Sequence, residues 1–156
     1  MKKFLIFDTE TTGLFNTKDR PHLGIRKARN PLKHPEDYPR IFQLAFILMN
    51  EEGEILDKFS EFIKPDGWEI PSGPGGEFWE RHGYSTEECE KLGIPMKEAL
   101  NRFIEALDKS DFLVAHNLDF DKPIILSEIS NYQMPLPKDF RPPQSLCTMK
   151  FTVDYV

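Results

Sequence analysis

Residues 3–8, Lys-Phe-Leu-Ile-Phe-Asp, form a short run that is apolar at consecutive positions, the pattern of a strand covered on both faces. Gly13 ends it. Residues 40–50 and 55–64 favour strands, and Asn50-Glu51-Glu52-Gly53 between them has the turn chemistry of a hairpin. Two antiparallel strands should therefore follow the first. Ser85-Thr86-Glu87-Glu88 resembles a capping box opening a short helix. Met96, Ala99, Leu100, Phe103, Ile104 and Leu107 recur at helical spacing and predict a helix with one apolar face. Phe112 to Ala115 predicts a further buried strand, and a helix should begin near Phe120 with Pro123 in its first turn. Residues 15–40, with four prolines and no sustained periodicity, and residues 65–76 read as loops. No internal repeat or low-complexity tract occurs.

Strand, hairpin, helices, strand, helix is the order of an α/β domain on a mixed sheet, three antiparallel strands and then a parallel one, flanked by helices. The length of 156 residues suits a single domain covering 1–156. A formal charge of −6 argues against a surface built wholly for phosphates. The charge is uneven, however. Residues 15–40 carry seven Lys/Arg against three Asp/Glu, a net +4 that leaves −10 for the rest. Hydrophobic residues at 39% with 13 Phe supply a core. Cys89 and Cys147 have no metal or redox spacing, and no apolar run reaches the length of a signal peptide or a membrane span, so a reducing, cytoplasmic setting without membrane contact is expected.

The candidate chemistry lies at strand ends. In Asp8-Thr9-Glu10 the i, i+2 spacing sends both carboxylates to one face of a strand and Thr9 to the other. Two such charges about 5 Å apart repel by about 3 kcal/mol at an effective dielectric near 20. A hard divalent cation, Mg²⁺ or Mn²⁺, would offset that repulsion, whereas a turn cap paired with a solvated acid would avoid it. At the second junction, His116-Asn117 forms a turn after the buried strand, and Asp119 and Asp121 open the next helix. Asp119 has an ordinary explanation in the helix dipole; Asp121, one residue after apolar Phe120, does not.

Phe4-Leu5-Ile6-Phe7-Asp8-Thr9-Glu10-Thr11-Thr12-Gly13-Leu14 resembles the first motif of the DEDD exonucleases, which include the proofreading epsilon subunit of bacterial replicative DNA polymerase III and share a ribonuclease H-like fold. Val114-Ala115-His116-Asn117-Leu118-Asp119-Phe120-Asp121 resembles the second motif, and Arg40-Ile41-Phe42-Gln43-Leu44 and His82-Gly83-Tyr84-Ser85-Thr86-Glu87-Glu88 resemble intervening stretches in the right order. The resemblance implies two Mg²⁺ or Mn²⁺ ions held by Asp8, Glu10 and Asp121. It further implies that Thr11, Thr12, Gly13 and Leu14 frame the terminal nucleotide, and that phosphodiester bonds are hydrolysed stepwise from the 3′ end. The implied substrate is a single-stranded or frayed 3′ end of DNA or RNA, with a DNA polymerase as a possible partner.

The family's third motif is a His and an Asp five residues apart, or in a sister branch a Tyr and an Asp four apart. None of His22, His34 and His82 is followed by such an Asp; His116 has Asp121 five positions on, but both belong to the second motif, and Tyr155 stands too near the end. Leu146-Cys147-Thr148-Met149-Lys150 resembles the stretch that precedes this motif, so a C-terminally incomplete domain lacking its general base, and inactive by itself, is expected. A non-catalytic module binding metal and nucleic acid is the alternative. A haloacid dehalogenase-type phosphatase, whose nucleophile motif Phe7-Asp8-Thr9-Glu10-Thr11 also resembles, is less favoured because its second acid should be Asp. The basic loop could contact phosphates through Arg20, Arg26, Lys27, Arg29 and Lys33, or be merely solvated. His22 and His34 lack partners for a zinc site. Trp68, Trp79 and Phe78 could stack on bases or pin loops to the core.

Overall fold

The computed structural model describes residues 1–15, 28–136 and 144–153. Its strands are β1 (Lys3–Thr11), β2 (Ile41–Asn50), β3 (Ile55–Phe62), β4 (Phe112–Ala115) and β5 (Gln144–Cys147). Its helices are α1 (Glu77–Arg81), α2 (Thr86–Leu92), α3 (Met96–Asp108), α4 (Leu118–Asn131) and α5 (Thr148–Val153). Among the described residues the strands form one sheet in the order β3-β2-β1-β4-β5. β2 runs antiparallel to β1 and β3, while β4 and β5 run parallel to β1. This is the α/β mixed sheet of a ribonuclease H-like fold.

The register explains which face became the core. Leu5 lies opposite Leu48 and Phe7 opposite Phe46 across the β1–β2 ladder, and Leu5 neighbours Leu113 on β4. All five are buried, and Phe103 of α3 meets Phe7 and Phe46 edge-on at 5.2 and 6.1 Å between ring centroids. Each such side chain withdrawn from water stabilises the fold by about 1.5–3 kcal/mol. The α3 stripe matches its helical spacing except that Ala106 is buried where Ile104 is only partly so. On the opposite face Ile6 pairs with Ile47, and both stay 37% exposed among the described residues. β1 is thus alternating rather than doubly covered, and Asp8 stands on its more open face.

The hairpin turns where its residues require it. Gly53 has φ +80°, and the Asn50 side-chain oxygen accepts from the amides of Glu52 and Glu54 at 3.0 Å each. Ser85 caps α2, its hydroxyl accepting from the Glu88 amide at 3.2 Å. α4 starts at Leu118, two residues before Phe120, where Asn117 takes up a left-handed conformation at φ 63° and its carbonyl accepts from the amides of Phe120 and Asp121. Pro123 consequently sits inside the helix rather than in its first turn. The 65–76 loop is followed by α1, a helix too short to show periodicity. Among the described residues no helix is long and apolar enough to cross a membrane.

Candidate active site

β1 carries the acids to the sheet's rim. Its pairing with β2 is regular through Glu10↔Gln43 and then shifts, so that Thr11 pairs with Ile41. Such an irregularity re-aims the side chains that follow it. Three contacts from distant elements hold the turn beyond. The Trp79 indole N–H donates to the Thr11 carbonyl at 3.0 Å. Thr12 and Arg40 are linked twice, the Thr12 amide donating to the Arg40 carbonyl at 2.9 Å and the Arg40 amide to the Thr12 hydroxyl at 3.0 Å. The Thr11 hydroxyl donates to the Gly13 carbonyl at 2.9 Å. Leu14 projects into solvent at 81% exposure.

Thr9, on the core-facing side of β1, is buried, and its hydroxyl donates to Oδ1 of Asp121 at 2.6 Å. Asp121 itself is 3% exposed. Burial, reinforced by the charges of Asp8 and Glu10, pushes its carboxyl up to about 6 against the lowering effect of the Thr9 hydrogen bond. Glu10 is raised as well, by burial first and then by Asp8, while His82 opposes the rise. Tyr84 is raised by burial and by the charges of Glu10 and Asp8. Asp8, Glu10 and Asp121 therefore share one electrostatic environment, in which Glu10 and Asp121 ionise less readily than in water.

That environment suits a cation chemically, since hard carboxylate oxygens held against mutual repulsion are the donors Mg²⁺ and Mn²⁺ prefer. Geometrically the ligand set is not drawn together: among the described residues no three His, Cys, Asp or Glu side chains cluster closely enough to hold an ion. The Asp121 carboxyl is turned to Thr9, behind the strand that displays Asp8 and Glu10. Beside Asp8 a groove of about 1100 Å³ runs across the sheet, lined by Ile6, Ala45, Lys58, Val114 and His116 among others. The His116 Nδ1 lies 3.0 Å from the Thr148 hydroxyl. Asp119, 75% exposed at its side chain, pairs with Lys150 at 2.9 Å and takes the surface role its helical position allows.

Arg26 and Lys27 lie outside the described residues, as do Arg20 and His22. The Arg29 guanidinium is engaged within its own segment: Nη2 contacts Asp37 at 3.0 Å and Glu36 at 3.2 Å, and Nε donates to Asp37 at 3.1 Å. The buried Asp37 also accepts from the Arg29 amide. Arg29 thus anchors the end of the basic loop. Two features of the site lacked a signal in spacing or composition. Trp79 binds a carbonyl 68 positions away. Arg40 joins the Thr12 turn to Glu128 of α4, its Nε donating to Oε1 at 2.6 Å.

The sequence profile of the exonuclease family, RNase T type, matches residues 5–156. No curated protein matches the chain. Among solved structures, E. coli exonuclease I bound to a dT13 oligonucleotide superposes with a TM-score of 0.64 at 18% identity, over 94% of this chain and 27% of that one. Exonuclease I in complex with the inhibitor BCBP gives 0.67 at 17% identity, over 97% and 29%. The exonuclease I of Methylocaldum szegediense gives 0.59 at 18%, over 94% and 27%. The chain spans less than a third of the length of these structural relatives.

Proposed function

The chain belongs to the exonuclease family, and from that membership we propose that it shortens single-stranded nucleic acid from the 3′ end, with Asp8, Glu10 and Asp121 holding two Mg²⁺ or Mn²⁺ ions. The observation that carries this reading is the placement of the three acids: Asp8 and Glu10 share one face of β1, and Thr9 between them binds the Asp121 carboxyl of α4 at 2.6 Å. Ions bound there supply the positive charge that phosphodiester hydrolysis needs at its attacking and leaving oxygens. Thr9 orients the Asp121 carboxyl through its hydroxyl. Trp79 and Arg40 hold the turn from which Thr11, Thr12, Gly13 and Leu14 would frame the terminal nucleotide. Arg26, Lys27 and Arg29 are proposed as phosphate contacts, the Arg29 guanidinium also pairing with Asp37.

DNA is the substrate favoured over RNA, because E. coli exonuclease I has been captured with dT and dA oligonucleotides. Proofreading beside a polymerase, in the cytoplasm, is the narrower form of the proposal. The phosphatase reading falls with the family membership. A second reading, binding without hydrolysis, is favoured by one observation: the His–Asp pair at five-residue spacing, His116 and Asp121, lies within the second motif, and none of His22, His34 and His82 has an aspartate at that spacing. On that basis the 156 residues alone are proposed to hydrolyse poorly for want of a general base. The test is incubation of 5′-labelled oligo-dT with the full natural gene product and Mn²⁺. A ladder shortened from the 3′ end, absent in EDTA and in Asp8→Ala, supports the exonuclease; stable binding without shortening supports the binding module.

A further inference from the structure

We propose that the exposed ring of Phe78 is a stacking platform for a nucleobase of the strand whose 3′ end reaches Asp8 and Glu10, an assignment that rests on the nucleic-acid reading above. Phe78 is 56% exposed on α1, a helix with no buried residue. A helix position in solvent has no need of a phenyl ring. Pinning α1 to the site is the task of its neighbour Trp79, through the Thr11 carbonyl.

The ring is nevertheless held rigidly. His82, one turn on, packs against it with centroids 4.5 Å apart, and Trp79 meets it edge-on at 5.6 Å. His82 Nδ1 lies 2.7 Å from the Phe78 carbonyl, and because a carbonyl only accepts, Nδ1 carries a proton. That bond fixes the imidazole, which lies parallel to the Tyr84 ring at 6.2 Å. Tyr84 in turn packs on the buried Phe42 at 4.9 Å. Phe78 is thus the outermost ring of a column rooted in the core.

The column stands beside the acids. Trp79, which meets the Phe78 ring edge-on, donates to the carbonyl of Thr11, the residue that follows Glu10. A rigid aromatic face next to the reacting end is what an unpaired base can use. Every base has a π-face, so such a platform favours single strands without favouring a sequence. A ring fixed before binding also spares the entropy of ordering it.

The experiment measures anisotropy of 5′-fluorescein oligo-dT bound to the protein in Ca²⁺, beside the same oligonucleotide with abasic 3′-terminal nucleotides. Phe78→Ala is expected to weaken binding of the intact strand on the order of tenfold, the effect of losing one stacked base. Phe78→Trp should restore it, and the abasic strand should bind Phe78→Ala and wild type equally. Equal affinity of Phe78→Ala and wild type for the intact strand, or an equal loss on the abasic strand, overturns the platform and leaves the nucleic-acid reading standing. Failure of the wild type to bind either strand overturns both.

Discussion

Replacing Asp121 by asparagine should stabilise the metal-free protein at neutral pH while removing its response to divalent ions. Asp121 is 3% exposed, and its carboxyl is held at about 6 against an ordinary value of 3.8. The folded state therefore holds this proton more tightly than the unfolded chain does. Stability linked to it is fully present below the unfolded value and is lost as pH rises from about 4 through about 6. A difference of about two units corresponds to about 3 kcal/mol at the upper limit. Asparagine keeps an oxygen that can accept from the Thr9 hydroxyl, so the bond in place at 2.6 Å need not be lost. Urea denaturation in EDTA should show Asp121→Asn more stable than wild type by about 1–3 kcal/mol near pH 7.5, with the difference closing toward pH 4. In a domain of this size each kcal/mol shifts Tm by roughly 2–4 °C. Added Mn²⁺ should raise the wild-type Tm and leave the variant unmoved. Destabilisation by Asp121→Asn at both pH values, or a gain that does not vary with pH, would refute the reasoning.

Two further substitutions probe what holds the site in place. Arg40→Ala removes the partner of Glu128, whose side chain is fully buried, and should cost about 3–5 kcal/mol near neutral pH. Because burial already raises the Glu128 carboxyl, the cost should shrink as the pH is lowered and that group takes up a proton, a trend that denaturation at several pH values would reveal. Phe103→Ala opens a cavity between Phe7 and Phe46 and should cost about 3–5 kcal/mol by the same measurement, without pH dependence.

The parts of this protein that can be read from its sequence are those whose cause is local. Alternation places Leu5, Phe7 and Thr9 on one face and Asp8 and Glu10 on the other, and the structure keeps that division. The α3 stripe and the Asn50–Gly53 turn also follow from neighbouring residues alone. β5 does not. Gln144-Ser145-Leu146-Cys147 has little strand character, and its conformation is supplied by the parallel ladder with Phe112–Ala115. Charge alone does not show that the Arg29 guanidinium pairs with Asp37, eight positions on. The bracing of Thr11 by Trp79 and of Thr12 by Arg40 links residues 68 and 28 positions apart, beyond any periodic signal.

Isothermal titration of Mn²⁺ into the protein at neutral pH addresses the acid cluster most directly. Asp8 is exposed, so Asp8→Ala should leave the far-ultraviolet circular dichroism spectrum unchanged. Saturable Mn²⁺ binding by the wild type, abolished in Asp8→Ala and in Asp121→Asn, is the expected result. No Mn²⁺ binding by the wild type, or isotherms that coincide for all three proteins, would contradict a divalent-metal site built from Asp8, Glu10 and Asp121.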